Sequence, residues 1–474
     1  FAGEVIPREL GLDADARLQT AVFSLIYAKP VGTHPSMTNV LLARARGAAR
    51  SAARCGRDRP DPADRVRRSH AQTGTTIRFA LAFFAAAALA AAWDHGRWLP
   101  LHLFLAGGVV LAISGVSLML TVTWSAAPAP PDRWVTIQRT LIIVGAAGVG
   151  IGRTADVPAV VAVTGTAFLL GLLALAGLLA WTIRRGPKRR FDAAVAAYLA
   201  AVAAGVVGVG LGVTMALDSP TLPLRSAHAT ANLLGLVGLT IGGTLPFFAA
   251  TVGRSKMARH TTPRRLVVTL AWQVAMVAAA VISLAVDAAT VPSVALVGYA
   301  VGILVILAWM PRPTRRQWTW AGPRLVALWL GGFWWCAAVV ATAVDAATGT
   351  AVLDGRWLVV MVLAGYGQIA WGSLAYLLPM LRGGGPDQLS DGFATTRSWP
   401  GLVAINVAGV AVAVAVTPVA VAAVAVWLLD AAVRAVRVGT RRAERQTTEP
   451  SSTGPSTTEP SSTETSSIRP STEE

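Results

Sequence analysis

The chain has 474 residues, of which 54% are hydrophobic and 14% charged; a soluble protein carries charge on about a quarter of its residues. The formal net charge of +17 would ordinarily point to nucleic acid. Here the basic residues are divided among short segments between apolar runs, which excludes both a nucleic-acid-binding patch and a string of soluble domains.

Residues 1–74 are polar and Arg-rich, without a secretory signal pattern. The chain opens on Phe1, as a fragment does or a sequence begun upstream of its true start; Met37 is a candidate natural start, and residues 1–36 carry no functional reading. From Thr75 to Val433 run twelve apolar stretches of about 17–30 residues, where one helical crossing of a bilayer takes about 20. They lie at 75–93, 99–124, 136–152, 157–183, 192–217, 225–252, 266–288, 291–310, 322–344, 357–381, 401–416 and 419–433. The last two flank Pro418, which would break a single helix. The expected fold is all-α, a polytopic transmembrane helical bundle with about 12 spans. It divides into a basic cytoplasmic segment (1–74), the membrane domain (75–433) and a basic stop with a tail (434–474).

Loop charge supports that count. Every second loop is basic: Arg184 to Arg190, Arg254 to Arg265, Arg312 to Arg324, and Arg434 to Arg445 after the last span. The alternate loops hold only Arg97, Arg153, Arg225 and Arg356. Cytoplasmic loops are the basic ones, so both termini are expected in the cytoplasm and the protein in the plasma (cytoplasmic) membrane. Trp93, Trp98, Trp124, Trp309, Trp318, Trp320 and Trp357 fall near span ends, as interfacial anchors do. The tail holds a TTEPSSTGPSTTEPSST repeat that cannot bury a core and is expected to be disordered.

Two patterns recur along the membrane domain. SLAVDAAT ends the seventh span and ATAVDAAT the ninth. The second, sixth and tenth spans are the glycine-bearing ones, and small residues let helix backbones approach closely in lipid. Three such helices at an interval of four predict three similar groups of four.

The span interiors are almost free of charge, which argues against a proton-driven carrier with midplane carboxylates. Among the polar residues, His102 lies about three residues into the second span and His228 about three into the sixth, both from the outer side, so each ring is about 4–5 Å deep at 1.5 Å rise per residue. Asn232 follows His228 by one helical turn. Two readings stay open. Each imidazole bonds to a neighbouring helix, or the two jointly ligate haem iron or copper, both of which accept imidazole. His95, in the outer loop, is a possible third ligand. In the tenth span Gln368 is costly to bury without a partner; it either packs or lines a cavity with Asn232 and Thr240. Trp334, Trp335 and Cys336 read as packing or lipid-facing groups. Cys55 and Cys336 have no metal-ligand spacing, and no phosphate loop, dinucleotide-binding or hydrolase motif occurs in its required context.

Three stretches carry a family resemblance: LPLHLFLAGGVVLAISG (99–115), RSAHATANLLGLVGLTIGGTLPFFAATVGRSKM (225–257) and GQIAWGSLAYLLPMLRGGGPDQ (367–388). They resemble the multi-span membrane domain of actinobacterial multicopper-oxidase and nitrite-reductase-like proteins. That domain is similar to NnrS-type haem–copper membrane proteins and, more distantly, to the main subunit of haem–copper oxidases. The resemblance covers about residues 75–433, and its marks are the second-span histidine and the sixth-span His-x-x-x-Asn, here His102, His228 and Asn232. It implies a haem–copper-oxidase subunit I-like helix arrangement, with haem b or copper as cofactor near the outer surface and His102, His228, Asn232 and Gln368 around it. It departs in two places. No cupredoxin ligand cluster follows the membrane domain, and the tenth span offers Tyr366 and Gln368 where haem–copper oxidases place histidine. An oxygen-reducing centre is therefore not expected, nor is catalysis by this chain alone. The expectation is a redox-accessory membrane protein whose partners are the bilayer and a separately encoded copper or cupredoxin protein, with no nucleic acid. A small-molecule or metal transporter, or a scaffold for the cupredoxin partner, is the alternative.

Overall fold

A computed structural model describes residues 62–448, apart from 94–95, 190, 219–220, 259–260, 289, 351 and 384. His95 and the tail repeat lie outside the described residues, and the contacts below all fall within the unit Arg65–Glu474. The apolar stretches are helices, and no strand occurs among the described residues. In chain order they are α1 Pro62–Ala92, α2 Trp98–Ser125, α3 Asp132–Thr154, α4 Pro158–Arg185, α5 Asp192–Leu217, α6 Leu222–Val252, α7 Pro263–Ala285, α8 Val291–Trp309, α9 Pro323–Ala347, α10 Gly355–Arg382, α11 Trp399–Ala413 and α12 Thr417–Thr448. Two short helices, Arg315–Ala321 and Pro386–Thr395, lie in the loops before α9 and α11. Eleven helices among the described residues are long and apolar enough to cross a membrane. This is the architecture of a multi-pass integral membrane protein. The exception is α11, whose 15 residues rise about 22 Å at 1.5 Å each.

Local chemistry sets the helix starts. α4, α6, α7, α8, α9 and α11 each carry proline in the first turn, where the missing N–H would have had no partner in any case. The side chains of Thr221, Thr262, Asp354 and Ser398 accept from backbone N–H groups at their helix starts. Helix and apolar stretch do not coincide at the two ends of the domain. α1 begins at Pro62, so its first turns are polar and Arg-bearing. There Arg65 donates to the Ala126 carbonyl (2.9 Å) and Gln72 to Pro130 (2.9 Å), which fixes the helix on the loop after α2. α12 runs on to Thr448 through the basic segment, because Arg, Ala and Glu are good helix formers.

α11 and α12 are separate helices. The turn is made at Ala415, in the left-handed region at φ 60°, just before Pro418 opens α12. The two run antiparallel, for the Ser398 hydroxyl at the start of α11 donates to Asp430 (2.5 Å) far along α12. Asp430 also pairs with Arg434 (2.9 Å), whose guanidinium donates to the carbonyls of Thr395 and Arg397.

α6 is the centre of the bundle: 83% of its apolar window is buried, against 28% in α1 and 11% in α12. Tyr299 of α8 and Tyr366 of α10 donate their hydroxyls to the adjacent α6 carbonyls of Leu234 (2.8 Å) and Leu233 (2.9 Å). Between the two tyrosines lies Trp335 of α9, fully buried, with ring centroids 5.9 and 5.8 Å away. Cys336, beside it, points its thiol at the Ala300 carbonyl and is a packing group.

The glycine-bearing second, sixth and tenth helices share a backbone feature. Each is π-helical over a short stretch, Leu103–Val109 in α2, Ala231–Gly238 in α6 and Met361–Gly367 in α10. These stretches hold glycines 107 and 108, 235 and 238, and 365 and 367. Such segments are rare and gather at functional sites. Three of them at an interval of four helices repeat the grouping anticipated from the glycines. The starts of α2 and α10 lie at one end of the bundle, joined by the Arg97–Asp354 ion pair (3.0 Å).

Candidate functional site

His102 is the fifth residue of α2, and its ring is stacked on Trp98 one turn earlier, centroids 4.9 Å apart and 11° from parallel. Its Nε2 lies 3.1 Å from the Ala146 carbonyl of α3. Ala146 and Gly150, one turn apart, keep the α3 surface low there; a Cβ on Gly150 would lie 3.9 Å from His102 Cδ2.

His228 is the seventh residue of α6, three positions before the π stretch. Its Nδ1 lies 2.7 Å from the Gly208 carbonyl of α5. Asn232 donates to the His228 carbonyl (2.9 Å), with its amide nitrogen 3.5 Å from His228 Nδ1. The seat for both side chains is made by glycines one turn apart on α5. A Cβ on Gly208 would come within 2.3 Å of the Asn232 amide nitrogen, and one on Gly212 within 2.9 Å of His228 Cε1.

A carbonyl oxygen only accepts, so these contacts fix both tautomers. The proton is on Nε2 of His102 and on Nδ1 of His228, which leaves one lone pair per ring, on His102 Nδ1 and His228 Nε2. An imidazole that ligates a metal is usually oriented by donating its other N–H to a carbonyl or carboxylate, and both histidines meet that condition. Among the described residues no group of three or more His, Cys, Asp or Glu side chains is placed to hold a metal ion. What His102 and His228 offer is one imidazole nitrogen each. That set fits haem iron with axial imidazoles, or copper at low coordination number.

Sequence reasoning singles out His102, His228 and Asn232 as candidates but not the backbone groups they bond to. Ala146 and Gly208 act through their backbones, and only the glycine spacing of GVGLG (208–212) could have pointed to the α5 seat. Gln368 makes no hydrogen bond to His102, His228 or Asn232. It is the fourteenth residue of α10, about 20 Å below the helix start at 1.5 Å per residue, whereas the imidazoles lie within two turns of theirs. Its side chain is fully buried, and neither amide atom has a hydrogen-bond partner among the described residues. An unpaired buried amide costs about 1–3 kcal/mol, and an apolar group of the same shape removes that cost. Gln368→Met is thus expected to raise the stability of the detergent-solubilised protein by about 1 kcal/mol or more, read from its denaturant midpoint. An unchanged or lowered midpoint would show the amide to be satisfied, by water or by a ligand.

No protein-family model matches this chain, and no curated protein is significantly similar to it.

Proposed function

We propose that this multi-pass membrane protein is redox-accessory and holds haem or copper near the outer membrane surface through His102 Nδ1 and His228 Nε2. The observation that carries the reading is the pair of ring-to-carbonyl contacts, Ala146 to His102 and Gly208 to His228, which orients two neutral imidazoles and leaves one lone pair on each. Asn232 holds the His228 backbone and backs its ring. Bound there, the metal would supply one-electron chemistry. The protein's part is to orient the donors and keep both rings neutral in an apolar surround. The basic loops at the other end of the bundle support an outward-facing histidine end, where a separately encoded copper protein would meet it.

The test is an ultraviolet–visible spectrum with metal analysis of the detergent-purified protein. A Soret band or stoichiometric copper is expected in the wild type and should vanish in the His102→Ala/His228→Ala double variant. Equal metal or haem content in both proteins would sink the proposal.

Transport is the second reading, favoured by the unpartnered Gln368 amide deep in α10. It predicts a change in cellular metal uptake or efflux on deletion that survives in the double histidine variant.

A further inference from the structure

Three loops converge at the end of the bundle opposite the histidines. Arg254 follows the end of α6, Arg324 is the second residue of α9, and Arg397 lies just before α11. All three gather on Trp320 of the short helix Arg315–Ala321. The guanidinium carbons of Arg254, Arg324 and Arg397 lie 3.5, 5.8 and 5.7 Å from its ring centroid. Arg324 and Arg397 donate to the same acceptor, the Trp320 carbonyl, at 3.3 and 2.5 Å. Arg324 also donates from Nε to Ala321 (3.2 Å) and lies over Phe393.

Like charges this close repel one another, and no carboxylate forms an ion pair with them among the described residues. The nearby Asp430 is engaged by Arg434 and Ser398. Cation–π contact offsets part of the cost. It leaves Arg324 with 2% of its surface exposed and its Nη1 buried without a partner, and Arg397 Nε in the same condition. A buried cation is stable only when paired and hydrogen-bonded. Arg324 also borders a narrow crevice with Trp371, Thr396, Ser398 and Leu402, and Arg254 is the exposed member of the cluster.

We propose that Arg254, Arg324 and Arg397 form a binding site for a phosphoryl oxyanion at the loop-rich end of the bundle, independent of the histidine pair. Guanidinium groups match phosphate oxygens in geometry and charge, and the three arginines lie at the ends of spanning helices, where lipid headgroups are expected. The phosphate belongs either to an anionic phospholipid or to a free phosphate ion, and the experiment separates the two.

The full-length protein is purified in detergent, and its unfolding temperature is followed while adding phosphatidylglycerol, phosphatidylcholine, or inorganic phosphate against chloride at equal ionic strength. Phosphatidylglycerol, and not phosphatidylcholine, is expected to raise it. Arg254→Gln and Arg397→Gln, which spare the fully buried Arg324, should each weaken the apparent affinity roughly tenfold, the change produced by losing about 1.4 kcal/mol. Arg316→Gln, on the exposed face of the short helix, should not. A response to phosphatidylglycerol alone assigns the site to a lipid headgroup, and a matching response to inorganic phosphate assigns it to the free ion. No response to either, or a response kept in both variants, overturns the proposal.

Discussion

Replacing Trp335 by alanine is expected to destabilise the bundle by about 3 kcal/mol, the lower end of the 3–5 kcal/mol range for deleting a buried large aromatic ring. The lower end applies because helices separated in a bilayer are already in apolar surroundings, so little of the loss is transfer free energy. What remains is the cavity, which lipid cannot reach, since the side chain is fully buried. The ring also sets the two tyrosines that hold α6. Tyr299 and Tyr366 each lie within 6 Å of it, centroid to centroid, and each donates to an α6 carbonyl. Both hydrogen bonds should loosen with it. Denaturant titration in detergent micelles measures the loss, and Trp335→Phe should recover part of it. A change smaller than about 1 kcal/mol, no larger than that of an average substitution, would mean that α8, α9 and α10 are not locked together at this ring.

The second large effect is expected on α3. A Cβ at Gly145 would lie 2.5 Å from Phe168 Cβ and 2.7 Å from the Phe168 Cα and nitrogen. Because the obstacle is backbone, no rotamer change relieves it, and α3 and α4 must separate. Overpacking of this kind costs about 1–3 kcal/mol, so Gly145→Ala should lower the unfolding midpoint despite alanine's better helix propensity. Gly177 on α4 is the control, for a Cβ there meets nothing within 4 Å. Gly177→Ala should gain up to about 1 kcal/mol from propensity alone. The next residue after Gly145 supplies the carbonyl that orients His102, so moving α3 should also weaken retention of metal or haem. If Gly145→Ala matches Gly177→Ala in stability, the close approach of α3 and α4 is wrong.

Apolar length was enough to read the class of fold and the position of nearly every helix, because the bilayer sets one length for all of them. The ends were less legible. Hydropathy registers where the chain becomes polar, whereas a helix stops where its backbone lacks a continuation. α1 therefore reaches back to Pro62 and α12 forward to Thr448. Pro418 marked the break before α12, yet the turn itself is made by Ala415, an alanine that carries no turn signature. At the candidate site, counting residues put His102 and His228 near the starts of their helices, where they are the fifth and seventh residues. Their acceptors were not legible in this way, because a carbonyl of Ala146 or Gly208 looks like any other in a sequence. Gln368 shows the converse: its residue type marked it as costly to bury, but only its depth along α10 separated it from the histidines.

The π-helical stretches bear on how these helices tolerate a change of length. A π turn closes its hydrogen bond over one residue more than an α turn, so α2, α6 and α10 each carry a residue beyond what a plain helix of the same reach needs. Removing one residue inside Leu103–Val109, Ala231–Gly238 or Met361–Gly367 can be absorbed by local return to α geometry, with the flanking turns kept in phase. The same deletion in α4 would swing everything beyond it by about 100° around the helix axis. Length variation between related chains is therefore expected to concentrate in these three stretches. Single-residue deletions there should leave His102 and His228 facing Ala146 and Gly208, while deletions elsewhere in the long helices turn the buried face into lipid.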